Sequence, residues 1–100
     1  MTEKYPTRAA QRYCYLLYGS HICAMTGKDR EPISLEGVSS VEDLLFKLDA
    51  AYEGIKDLFI PPGGIFNSKT AILLRRSGES GKPVLDQKEP IRPRDVLLLW

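Results

Sequence analysis

No stretch of this chain approaches the roughly 20 consecutive apolar residues that a membrane-spanning helix requires. Its opening, MTEKYPTRAAQ, has no apolar stretch of the kind a secretory signal carries, so the expected compartment is the cytoplasm. An excess of charge is missing too. The 14 basic residues stand against 13 acidic ones, for a formal net charge of +1, and the signs are interspersed. Nucleic-acid and anionic-membrane binders gather a basic excess on one face, so neither partner is expected. Metal ligands are scarce. His21 is the only histidine, and YCYLLYGSHIC holds neither a C-x-x-C pair nor a second ligand pair. No metal or other cofactor is expected. Cys14 and Cys23 read as small apolar residues of a reduced chain, and His21 as a surface or turn residue.

What is present is enough for one hydrophobic core. A chain of 100 residues, 43% of them hydrophobic, encloses a single domain. Residues 1–10 are polar and aperiodic and read as a flexible arm, leaving 11–100 as the domain. Gln11–Gly19 (QRYCYLLYG) is an aromatic-rich strand, with Cys14 to Leu17 apolar in succession, hence covered on both faces over part of its length and central. SHICAMTGKD is a connector with room for one helical turn, ended by Gly27, and REPISLEG a strand with one wet face, its start edge-placed by Pro32. SSVEDLLFKLDAAYEG is the clearest local signal. Ser39 or Ser40 caps it, Ser39-x-x-Glu42 forms a capping box, and Gly54 closes it. Val41, Leu44, Leu45, Leu48 and Tyr52 form one apolar stripe, which needs a sheet to lie against. An irregular crossing, IKDLFIPPGGIFNS, follows, with a short helical turn at Ile55–Phe59. Then come the strand Lys69–Arg76, a short edge strand in PVLD, and the strand VLLLW.

Strand, strand, helix, strand, short strand, strand is an α+β order. A single main helix on one face of a mixed four- to five-stranded sheet is the β-grasp, or ubiquitin-like, architecture. The strongly apolar first and last strands should lie side by side and parallel in its centre. Several residues in order then resemble the small sulfur-carrier subunit of molybdopterin synthase and the thiamine-pathway sulfur carriers (the MoaD/ThiS family). These are Thr26-Gly27, Leu35-Glu36-Gly37, Ser40-Val41-Glu42-Asp43-Leu44-Leu45, the crossing through Asn67, the strand Thr70–Leu74, and EPIRPRDVLLLW. Arg94-Asp95 stands where the family has Gly-Asp.

The resemblance implies a non-catalytic partner protein in molybdenum cofactor biosynthesis that docks on a larger subunit or an activating enzyme. It also exposes a departure. Carriers in that family extend past this strand to a terminal Gly-Gly, whose carboxylate is adenylated and converted to a thiocarboxylate. Threading that tail into a partner's active site favours small residues. Trp100 stands near where it would begin, so the chain as given is not expected to accept sulfur. Three explanations stay open: trimming before a tail or further domain, a relative that lost the tail and kept the docking surface, or an unrelated β-grasp module. The alternative function is therefore a non-conjugating interaction or regulatory module, or one domain of a longer chain.

No catalytic constellation appears. Ser39 and Ser40 are better caps than nucleophiles, and PPGG at Pro61–Gly64 lacks the Lys-Ser/Thr and helix of a phosphate loop. Docking is expected on the sheet face opposite the helix. Tyr13, Tyr15, Leu17, Leu97, Leu99 and Trp100 would supply the apolar patch, rimmed by Arg75, Arg76 and Arg94. Two outcomes are open: either that face is exposed, or IKDLFIPPGGIF folds over it.

Overall fold

The computed structural model describes residues 12–100 except Ile65, Ser68 and Ser77. The arm expected at residues 1–10, and Gln11 of the expected first strand, lie outside the described residues. In chain order the elements are β1 (Tyr13–Tyr18), α1 (Ser20–Thr26), β2 (Arg30–Ser34), α2 (Val41–Ala51), α3 (Ile55–Phe59), β3 (Ile72–Arg75), β4 (Lys82–Pro83) and β5 (Val96–Leu99). The strands form one sheet in the order β2-β1-β5-β3-β4. β1 and β5 are parallel neighbours, as the two apolar runs imply, and the remaining pairs are antiparallel.

Alternation along β1 decides which side is core. Cys14, Leu16 and Tyr18 are buried beneath the helices, with Leu97 and Leu99 of β5 and Ile72 and Leu74 of β3. Val41, Leu44, Leu45 and Leu48 of α2 close over them. The crossing adds Ile55, Phe59 and Ile60 to the same side, so it thickens the core and leaves the opposite face uncovered.

Three local expectations shift. The connector after β1 is a full helix: Ile22 and Thr26, four residues apart, are buried, and Gly27, left-handed at φ 77°, ends it by donating to the Cys23 carbonyl. At α2 the capping pair sits one residue later than Ser39 and Glu42. Ser40 Oγ accepts from the Asp43 amide at 3.3 Å, and the Asp43 carboxylate accepts from the Ser39 amide at 3.1 Å. The Ser39 amide and hydroxyl hold that carboxyl below its usual range. Glu42 instead pairs with Lys88. At the other end Tyr52 is the C-cap, while Gly54 (φ 95°) turns the chain into α3.

The return to β5 is fastened at several points. Val41 N and Glu42 N, free donors of the first turn of α2, reach the Glu89 and Gln87 carbonyls at 2.9 and 2.8 Å. Asp95, buried, accepts from the Arg92 amide at 2.9 Å, and its own carbonyl accepts from Tyr15 N at 2.9 Å. The start of β5, and hence its phase against β1, is fixed.

Candidate functional site: the open face of the sheet

Parallel pairing sets Tyr15 beside Val96 and Leu17 beside Leu98. Two rows therefore cross the open face. One runs Pro32, Tyr15, Val96, Arg75, and the other Arg30, Leu17, Leu98, Leu73, Pro83. Tyr15 and Leu17 are 45% and 37% exposed, a large apolar commitment to solvent for two interior-strand residues. Between the rows lies a hollow of about 370 Å³ lined by Tyr15, Leu17, Arg30, Pro32, Arg75 and Val96. A second, of about 650 Å³, adjoins it through Arg75 and Val96 and adds Gly78, Glu79, Ser80 and Arg94.

The residues expected at the site divide. Tyr15, Leu17, Arg75, Arg94 and Trp100 are exposed, and Tyr13 is half-buried at the start of β1. Leu97 and Leu99 do not belong to this face. Both are fully buried under the helices, because the register puts Val96 and Leu98, not their neighbours, beside Tyr15 and Leu17. Coverage of β1 on both faces is likewise corrected: only its Cys14, Leu16 and Tyr18 side is sealed. Arg76 is not a free rim cation. Its Nη2 donates to the Pro90 carbonyl at 2.8 Å, and its Nε lies 3.3 Å from Asp95 Oδ2, an ion-pair contact without hydrogen-bond geometry. Arg30, Pro32, Leu73, Val96 and Leu98 join the face unanticipated; alternation of β2 against buried Leu35 would have marked Arg30 and Pro32.

Trp100 continues the row pattern one step past β5. Its amide donates to the Ala71 carbonyl at 3.0 Å, and its own carbonyl accepts from Ala71 N at 2.6 Å. A Cβ on Gly19 would fall 2.2 Å from the Trp100 Cβ, so only glycine lets these two strands approach there. The indole, 51% exposed, is part of the face.

A polar cluster sits on the helix side. Burial works against ionisation of Glu31, but Tyr18 and Tyr52 hydroxyls at 2.6 and 2.8 Å and Lys28 at 3.0 Å outweigh it and hold the carboxyl below its usual range. Burial and that carboxylate push the Tyr18 hydroxyl far above its ordinary range. Cys14 is pushed up to about 11, first by burial and then by nearby Asp95, so the thiol stays protonated. These groups are occupied in holding the fold.

No protein-family profile matches this sequence, and none of the curated proteins does. Solved structures do match. Small archaeal modifier protein 1 of Haloferax volcanii aligns at TM-score 0.64 over 88% of this chain and 92% of its own, with 18% identity. The solution structure of the Haloferax volcanii HVO 2177 protein aligns at 0.69, over 87% and 79%, with 19% identity. A Pyrococcus furiosus protein described as molybdopterin converting factor, subunit 1, aligns at 0.61, over 87% and 93%, with 18% identity. The fold is the ubiquitin-like β-grasp. The likeness lies in strand order and helix placement, and at this identity it is a likeness of fold. The β-grasp here carries its uncovered apolar surface on the sheet face that the helices leave free.

Proposed function

We propose that this β-grasp domain docks on a larger protein through the open face of its sheet, as a member of the sulfur-carrier group acting in molybdenum cofactor biosynthesis. The carrying observation is the exposure of Tyr15 and Leu17 on the interior strand β1, with the core complete without them. The partner would be a synthase large subunit or an activating enzyme, and sulfur transfer would require a Gly-Gly tail following Trp100. The domain's own contribution is binding. Its candidate nucleophiles are otherwise engaged: Ser39 and Ser40 in the cap of α2, and Cys14 in the core as a protonated thiol.

A second reading, a non-conjugating interaction module, is favoured by one feature. Trp100 is held in the ladder by Ala71 and lies on the face itself, as a docking residue would, rather than being free to enter a partner's channel.

The test pairs two exposed apolar positions on opposite sides of the molecule. Leu17→Asp, on the open face, should abolish association with the synthase large subunit or activating enzyme encoded in the same genome. Phe46→Asp, exposed on α2, should leave it intact. Equal binding by both variants would refute docking through this face. Incubating the native protein with activating enzyme, ATP and a sulfur donor then separates the two readings. A mass gain equal to oxygen replaced by sulfur supports the carrier, and an unchanged mass the module.

A further inference from the structure

Charge on the open face is predominantly positive, with Glu31 and Glu79 the acids among the residues lining its two hollows. Arg30, Arg75 and Arg94 are all exposed. Among the described residues none of the three has a carboxylate within the 4.0 Å of an ion pair. Of the nearby acids, Glu79 lines the second hollow without pairing to any of the three, and the other two are already engaged. Glu31 is taken by Tyr18, Tyr52 and Lys28, and Asp95 by Arg76 and the Arg92 amide. The arginines also occupy opposite corners. Arg30, on β2, ends the Leu17 row, and Arg75, on β3, ends the Tyr15 row, with the apolar hollow between them. Arg94 adds to the Arg75 corner, where both line the second hollow.

Arg94 carries a second, independent signal. Its backbone is left-handed at φ 73°, and no other described residue outside glycine has a positive φ. Arginine is strained there, glycine is not, and the strain is not recovered by any hydrogen bond or ion pair of its side chain among the described residues. A cation held in a costly conformation, facing solvent beside an apolar slot, is suited to a partner's anion.

We propose that the open face selects an acidic peptide segment with an apolar anchor; this rests on the docking reading above. One Leu, Ile or Phe side chain of the segment fills the slot among Tyr15, Leu17, Pro32 and Val96. A carboxylate on one side of it meets Arg30, and one on the other side meets Arg75 and Arg94. The corners are three strand spacings apart, about 15 Å, so an extended segment places its two acids about four to five residues apart around the anchor. A single-stranded nucleic acid is the poorer fit. The slot is mainly aliphatic, Trp100 lies at the far end of the face from Tyr15, and three arginines neutralise few phosphates.

The experiment is selection of a random-peptide display library on the purified protein, with Leu17→Asp protein for counter-selection. The expected result is enrichment of Asp or Glu on both sides of an apolar residue. Replacing those acids by Asn or Gln, or using the Arg75→Glu/Arg94→Glu double variant, should weaken an enriched peptide by about tenfold or more, with further loss at high salt. Arg94→Gly should weaken it while leaving the protein folded. Recovery of no peptide, of peptides without acids, or of peptides indifferent to the arginine variants overturns the proposal. So does tighter binding of oligouridylate RNA at the same arginines. These outcomes leave docking itself standing if Leu17→Asp still abolishes association with the larger partner. If that association survives Leu17→Asp, both readings fall.

Discussion

The two faces of one sheet carry nearly equal apolar content and opposite fates. Leu16 and Leu17 are adjacent residues of β1, yet the first is fully buried and the second is 37% exposed. Leu97 and Leu98 repeat the contrast on β5, where Leu97 is fully buried and Leu98 half-buried. Composition cannot produce this difference. It comes from where α2 and α3 lie, and it separates residues that make the fold from residues that the fold presents.

The sharpest way to break the comparison is to truncate one leucine on each side. Leu48→Ala, under α2, should lower unfolding free energy by about 2–5 kcal/mol, through lost transfer energy and a cavity. Leu17→Ala should cost under about 1 kcal/mol, since its side chain already meets water. Urea titration of both variants measures the gap, and equal costs would erase the distinction between the faces. Next in size is Gly19→Ala. The added methyl overlaps Trp100, and the overpacking should cost about 1–3 kcal/mol and alter the tryptophan emission spectrum.

The buried side has its own polar check. Tyr18→Phe removes one of three donors on Glu31 and should cost about 1.5 kcal/mol near neutral pH, read by thermal or urea unfolding. The pH dependence has a definite sign. The Glu31 carboxyl is depressed in the folded state, so its contribution is present above its ordinary value of 4.5 and fades as pH falls through the lower folded value. The Tyr18 hydroxyl is raised, so its contribution is present below 10.0 and is lost as pH climbs beyond that. Tyr18→Phe should flatten both limbs of a stability–pH curve, and an unaltered curve would deny Glu31 this part. The smallest effect belongs to the open side. Arg94→Gly relieves a left-handed arginine and should raise stability by up to about 1 kcal/mol after the entropy cost of glycine. A loss of stability in the same melt would mean that the arginine supports the fold.

Much of the buried side was legible in the sequence. The stripe Val41, Leu44, Leu45, Leu48 has a helical period that only one face can satisfy, and the paired apolar runs fix β1 beside β5. The open side was harder for a physical reason. VLLL is apolar at every position, so alternation carries no phase, and Leu97 and Leu99 looked as eligible as Val96 and Leu98. The phase is set by the turn through Arg92–Asp95, whose hydrogen bonds to Tyr13 and Tyr15 have no local sequence signature. Arg76 misled for the same reason: its partners Pro90 and Asp95 are remote in sequence. Short α1 offered too few turns for a period to emerge.

β1 and β5 run in the same direction side by side, so Tyr13 and Leu99 lie at opposite ends of one ladder. A force that draws those two residues apart acts along the strands and across every rung between them. The rungs are loaded together in shear instead of being peeled one by one. The domain should therefore hold as a stiff mechanical clamp when tension passes through its chain, and yield abruptly, whereas the two-residue pairing of β4 would unzip under a far weaker pull.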